Sequence, residues 1–324
     1  MHPNNPQNTI LKMIRGLRRK WFCFILMIGL VGILGCASSS RLPSAAAPGE
    51  PLPVYLEGTT FIYSNGSMET VHAVTPNRVT WRNHRGYLSS GSPDFTYRRA
   101  AWETRTRSGT RNFKGRNDLF GNPTAVSVWP LVPGKTARYI ETGRWLDSEG
   151  TNHTYNAQWR TEVVGQTRVR VKAGEFDTWK IIARRFSSGD AYKNSRVREV
   201  RVWYYAPAAG HYVRMERIYL GRKPDRIVEL VAITPPVKEM SPAAQTEVQT
   251  NFQQALEEKK SGDPLPWVMP EYTLSGATTP MTTIRLNSGT YCRQYLQQLN
   301  QSGETHAFFG LACRTPKGEW RVPR

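Results

Sequence analysis

The chain has 324 residues and a formal charge of +19, with 39% hydrophobic and 11% aromatic residues. Ten Trp, 14 Tyr and 11 Phe exclude a disordered chain, while 26 Gly and 22 Pro point to frequent turns and a mainly β architecture. Such a length builds one large domain or two smaller ones, each able to bury a core.

Residues 11–20 (LKMIRGLRRK) are basic and residues 21–34 (WFCFILMIGLVGIL) are apolar, the layout of a secretory signal over residues 1–35. At about 1.5 Å per residue the apolar run covers roughly 21 Å of a hydrocarbon core near 30 Å, so a retained membrane helix is the alternative reading. The run ends in Ile33, Leu34, Gly35 and Cys36, and this tetrad resembles the lipobox of bacterial lipoproteins. The resemblance implies acylation of Cys36 and cleavage before it. Ala37 and Ser38 imply outer-membrane sorting, because Asp after the Cys is the usual inner-membrane retention signal. Each buried methylene contributes about 0.8 kcal/mol, so the two or three chains expected on a lipoprotein hold it at the membrane. Residues 37–53 (ASSSRLPSAAAPGEPLP) have the composition of a flexible tether.

Removal of residues 1–35 takes away five positive charges (Lys12, Arg15, Arg18, Arg19 and Lys20) and leaves +14. That excess suits an anionic envelope glycolipid or acidic polymer and the membrane surface. The positive residues are scattered rather than blocked, which also describes a merely solvated surface and indicates no specific nucleic-acid partner.

Residues 54–234 carry short β-branched and aromatic runs between Gly, Pro, Asn and Asp, the pattern of an antiparallel β domain. Val163–Val171 and Thr178–Phe186 form a hairpin around Ala173 and Gly174; Arg196–Tyr205, His211–Leu220 and Arg226–Ile233 extend it as a β-meander. Alternation along these strands assigns one face to the core and turns Arg198, Arg214 and Glu216 to solvent. The segments Val126–Tyr139, Val169–Ile181 and Val202–Arg217 resemble an envelope-protein family of unknown function. That resemblance implies a curved antiparallel sheet whose concave face can hold an acyl chain. Trp179, Trp203, Tyr205, Tyr212 and Tyr219 either line such a face or fill a core, and packing is the ordinary role of aromatics at alternating positions.

Residues 235–281 read as a linker with one helix. Ser241 before Pro242 starts it, Gly262 and Pro264 stop it, and Val248, Phe252, Ala255 and Leu256 share a face suited to docking on the β domain. Residues 282–324 form a small β module. Its Gly289, Tyr291, Cys292, Arg293, Gly303, Gly310, Ala312, Cys313, Arg314, Gly318 and Trp320, with the preceding stretch from Ala255, resemble the carboxy end of the rickettsial seventeen-kilodalton surface antigen family. That family carries a glycine-rich stretch ahead of this module; a β-rich domain stands there instead. Leu286–Leu299 and Thr305–Arg314 read as two strands turning at Gln301–Glu304, which makes Cys292 and Cys313 neighbours. In an oxidising envelope a disulfide closing this loop of about 22 residues adds roughly 3 kcal/mol. A metal pair is the weaker alternative, since two Cys fall short of a zinc set and His306 has no spaced partner.

Gly134, Lys135 and Thr136 look like the end of a phosphate-binding loop, but Trp129 stands where that motif needs Gly, which leaves a hairpin. No nucleophile elbow or zinc helix occurs, and no catalytic residue, cofactor or metal is expected. Three readings remain: a structural or interaction lipoprotein of the outer membrane, a lipid- or polyanion-binding β module, and, least, an enzyme acting on an envelope polymer with carboxylates drawn from distant strands.

Overall fold

The computed structural model describes residues 49–97, 101–105, 112–120, 127–146, 151–186, 196–237 and 240–323. Cys36 and most of the tether lie outside the described residues. The β domain consists of β1 (Thr60–Tyr63), β2 (Met68–Thr75), β3 (Arg78–Asn83), β4 (Leu88–Gly91), β5 (Ala101–Arg105) and β6 (Asn112–Phe120), then β7 (Thr136–Leu146), β8 (Asn152–Val171), β9 (Gly174–Phe186), β10 (Val197–Ala206), β11 (His211–Tyr219) and β12 (Arg226–Thr234). Each pairs antiparallel with its successor, and β12 pairs back to β1 through Thr60↔Thr234 to Tyr63↔Leu230. The expected meander therefore extends over twelve strands, and its pairings return to their start. The join between β4 and β5 is short, made by Ser89↔Trp102 and Ser90↔Ala101.

Strand periodicity sets what is buried. In β9, Trp179, Ile181 and Ala183 are buried, two residues apart, because successive side chains point to opposite faces. With Tyr139, Trp159, Val163, Trp203 and Tyr205 they form a core against Val128, Trp129 and Leu131. Three of the five aromatics assigned to the meander, Trp179, Trp203 and Tyr205, thus fill a core. Tyr212 packs against both this cluster and a second one, and Tyr219 is partly exposed.

The second cluster joins the β domain to the C-terminal elements. It combines Phe61, Val71, Trp81, Val213 and Leu230 with Ala244, Val248, Trp267, Leu274, Leu299 and Phe308. Helix α1 (Pro242–Glu258) begins as expected, with Ser241 Oγ accepting the Ala244 N–H at 3.2 Å. Its apolar face is the expected one, but the docking partner differs in part. Ala244 and Val248 enter the shared core, whereas Leu256 packs on Tyr295, Ala312 and Trp320, with Phe252 against them.

After the helix come β13 (Leu265–Met269), β14 (Leu274–Arg285), β15 (Tyr291–Gln301), β16 (Glu304–Arg314) and β17 (Trp320–Arg321), paired antiparallel in chain order. The stretch 265–281, read from its Pro and Gly as linker, thus supplies β13 and most of β14. Its prolines sit where they do little harm: Pro266 lies in β13, which pairs on one side with β14, and Pro280 stands at the register shift of the β14–β15 ladder. Ser302 and Gly303, both at positive φ (52° and 87°), make the tight turn between β15 and β16.

One residue pair, Ala232↔Gly310, links β12 to β16. A Cβ on Gly310 would strike the Tyr295 ring and lie 2.8 Å from the Ala232 Cβ. Gly310→Val should therefore cost about 2 kcal/mol through overpacking, measured by urea unfolding; an unchanged midpoint would mean that this contact does not hold the two segments together.

Candidate functional site

Three places on the described chain gather polar chemistry. The first is the C-terminal module. Cys292 and Cys313 are directly paired across β15 and β16 and form a disulfide across 21 residues, as expected. Arg293, next to it and buried, donates from Nη1 to the Leu256 and Lys259 carbonyls at 2.7 and 2.9 Å, so it caps the C-terminal end of α1. Burial lowers its pKa, while the nearby Glu257 charge acts in the opposite direction. Glu257 also takes a two-pronged bond from Arg314 (3.1 and 2.8 Å) and one from the Trp320 indole at 2.9 Å. The Gln253 amide both donates to and accepts from the Trp320 backbone at 2.8 Å. Gly289, Gly303 and Gly318 hold positive φ at turns, and Gly310 allows the close approach of Tyr295 and Ala232. The residues that carry the resemblance are thus engaged in building the module; Tyr291, exposed, sits 5.5 Å from the Arg285 guanidinium.

The second place has no motif in the sequence. Along β10 the period of two places Glu199 and Arg201 on the same face as Trp203 and Tyr205, in line with the buried aromatics rather than with solvent-facing Arg198. Arg214 and Glu216 do lie on the opposite face, only partly exposed, where Arg214 bonds Glu216 and Glu229. Register then brings Arg185 of β9 opposite Glu199, Arg217 of β11 opposite Arg201, and Arg226 of β12 opposite Arg217. The Glu199 carboxylate is 2% exposed. It receives Arg201 Nε at 2.6 Å and Arg217 Nε at 2.5 Å, and Arg185 Nε lies 3.3 Å away. Burial alone would raise the Glu199 pKa, but the bonds and charges of Arg217 and Arg201 outweigh it and hold it below the ordinary 4.5. The Arg201 guanidinium lies over the Trp159 ring at 4.6 Å, and the Trp159 indole donates to buried Glu141 at 2.8 Å.

The third is an open cleft of about 590 Å³ between β2, β3, the start of α1 and β14. Its lining is mixed: Arg82, 2.6 Å from His72 Nδ1, with Glu57, Thr70 and Ser241 on the polar side, and Val71, Met240 and Leu274 on the apolar side. Glu57 is engaged by the Val74 N–H. Elsewhere, Lys135 donates to the Trp129 and Pro130 carbonyls, which gives the phosphate-loop-like residues a structural task. His211 is buried, 2.9 Å from the Tyr55 hydroxyl at Nδ1, and is surrounded by Phe61, Trp81, Phe95 and Tyr212. Among the described residues no group of three or more His, Cys, Asp or Glu is arranged to hold a metal, and no helix is long and apolar enough to cross a membrane.

Residues 254–321 match a family model described as 17 kDa outer membrane surface antigen. The 17 kDa surface antigens of Rickettsia bellii (strain RML369-C) and Rickettsia prowazekii (strain Madrid E) are 39% and 40% identical over 70 residues, 22% of this chain and 44% of theirs. The C-terminal module therefore resembles that family, and the chain spans less than half the length of these relatives. Among solved structures, the hypothetical lipoprotein YmcC from Escherichia coli (K12) aligns with a TM-score of 0.35 at 7% identity, over 53% of this chain and 81% of that one. An exported protein with a YmcC-like fold from Bacteroides fragilis NCTC 9343 aligns with a TM-score of 0.32 at 14% identity, over 58% and 99%.

Replacing Cys292 and Cys313 together by Ser should lower the unfolding free energy by roughly 3 kcal/mol, read from denaturant midpoints under non-reducing conditions. Glu199 has a folded pKa below its unfolded one, so its contribution is complete above pH 4.5 and disappears as pH falls through the depressed value. Stability measured between about pH 5 and pH 2 should fall less steeply in Glu199→Gln than in the parent, from a starting point about 3 kcal/mol lower at neutral pH.

Proposed function

We propose that this chain is a lipid-anchored protein of the outer membrane with a structural or interaction role in the envelope. The observation that carries the reading is the match of residues 254–321 to the surface-antigen model, together with a module in which the matching residues cap, clamp and cross-link one another. Such residues maintain a rigid body and leave contact with a partner to other surfaces. The basic and apolar start, Cys36 and the tether of residues 37–53 support attachment by acyl chains at a distance from the bilayer.

The charge of +14 after Cys36 favours an anionic partner, an envelope glycolipid or an acidic polymer, and the ionic residues on the inner face of β9–β11 give that attraction a local expression. The acyl-carrier version of the fold draws less support. Trp159, Trp179, Trp203 and Tyr205 occupy the inner face of the meander where a chain would lie.

Labelling cells with radioactive palmitate and fractionating them tests the anchor. The parent should carry label and sediment with outer membranes, whereas Cys36→Ser should lose the label and leave the outer-membrane fraction. A Cys36→Ser protein that remains unlabelled yet fully in the outer membrane would overturn acyl anchoring.

A further inference from the structure

Among the described residues, Leu220 (54%) and Ile227 (56%) are the most exposed leucine and isoleucine, and they flank one turn, between β11 and β12. The whole run from Leu220 to Ile227 (LGRKPDRI) is exposed. The Leu220 N–H donates to the Arg198 carbonyl at 3.1 Å, so the β10–β11 ladder continues past Glu199↔Tyr219 and places Arg198 beside Leu220. The period of two then puts Leu220 on the outer face of the sheet with Ile218, which stands opposite Val200, and with Ile227, which stands opposite Glu216. The aliphatic patch begins half-buried at Val200 and Ile218 and ends in water.

Cations surround its open end. Arg196, Arg198, Arg222, Lys223 and Arg226 are exposed, and none of them forms an ion pair among the described residues. Lys223 lies over the Tyr219 ring at 5.7 Å; Arg217 covers the same ring at 4.8 Å but is committed to Glu199. The carboxylates nearby are engaged. Asp225 accepts the Tyr219 N–H at 2.9 Å, Glu199 is held by Arg201 and Arg217, Glu216 and Glu229 by Arg214, and Glu162 by Arg184. Single exposed aliphatics are ordinary on a protein surface, but two at one turn, continuous with a patch and ringed by cations, make an amphipathic tip.

We propose that the β11–β12 tip is a second membrane contact, in which Leu220 and Ile227 enter the headgroup boundary of an anionic bilayer and Arg198, Arg222, Lys223 and Arg226 meet its phosphates. A lipid surface yields around a protruding turn and offers negative charge and hydrocarbon at neighbouring depths. Arg and Lys stems run along apolar surface while their charged ends stay with the headgroups. A turn of this size falls short of the roughly 800 Å² per partner of a stable protein interface. A chain already held by acyl groups needs only a weak second contact, because anchoring raises its concentration at the surface. Distance permits it. A Cβ on Gly210, at the other end of β11 and about 30 Å from the tip, would lie 3.8 Å from the Val54 carbonyl, and residues 37–48 extend to roughly 40 Å. The proposal rests on the lipid-anchored reading for the membrane that the tip meets.

The test uses the full lipidated chain in vesicles of phosphatidylcholine, alone or mixed with phosphatidylglycerol. Gly221→Cys, where a Cβ meets nothing within 4 Å, supplies a thiol for an environment-sensitive NBD fluorophore, since Cys292 and Cys313 are bonded together and Cys36 is acylated in the anchored reading. In the anionic vesicles its emission should move to the blue and be quenched by spin-labelled acyl chains. In phosphatidylcholine alone, or in about 1 M salt, where charges act over only about 3 Å, both effects should shrink severalfold. Arg222→Gln with Lys223→Gln and Arg226→Gln should abolish the blue shift, and so should Leu220→Ser with Ile227→Ser. All five side chains are exposed, so the thermal midpoint of either variant should stay at that of the parent. The same fluorophore on Val268→Cys, 68% exposed in β13, should remain in water in every vesicle. A label at 221 that stays in water with anionic vesicles, or responds equally at 268 or in the triple Gln variant, overturns the proposal. Emission that shifts with protein concentration but not with lipid composition overturns it too, and assigns the tip to a second copy of the chain. Each of these results leaves the anchor to be judged separately, by sedimentation of the protein with the vesicles and by the Cys36 experiment.

Discussion

The contact between Ala232 and Gly310 is the constraint on which the arrangement of the chain depends. Strand β12 pairs with β11 along its first half and with β1 along its second, and at Ala232 it meets β16. Only small residues permit this approach, since Gly310 is flanked by the Tyr295 ring and the Ala232 methyl. A separate core, around Phe61, Leu230, Trp267 and Phe308, draws on both the β domain and the C-terminal strands, so that neither set of apolar faces is left in water. The disulfide, the Arg293 cap and the Glu257 clamp keep β15, β16, β17 and α1 in the one relation that presents Gly310 to Ala232.

The inner face of β8 to β11 divides into two layers with different physics. Toward Trp203 and Tyr205 it is apolar and closely packed, and its contribution is the removal of aromatic surface from water. Toward Glu199 it is ionic, and its net contribution to stability is small because desolvation offsets the attraction between charges. The C-terminal module contrasts with it: there the charged residues bond backbone carbonyls or each other at the joints of the fold.

Legibility in the sequence followed the range of the interactions. The start of α1 at Ser241 and Pro242 is a local pattern, and so are the β8–β9 hairpin and the turn at Ser302 and Gly303. Strands β13 and β14 were hidden because Pro264, Pro266, Pro270, Gly276 and Pro280 speak for a linker when only neighbours in sequence are considered. They are strands because β15 provides a long ladder and Trp267 has a core to enter, and Gly276 admits the Trp267 ring where a Cβ would lie 2.7 Å from it. The helix face of Val248 and Leu256 was readable from spacing, but not that its two ends serve different clusters.

The sequence by itself determined the β class, the cysteine pair and the helix, because period, turn chemistry and spacing act over a few residues. The alternation of RVREVRVWYY even puts Glu199 and Arg201 on the face of Trp203 and Tyr205. Only the tertiary structure decided that Arg185, Arg217 and Arg226 stand beside them, and that Ala232 meets Gly310, for register between strands is set by which faces can be buried together.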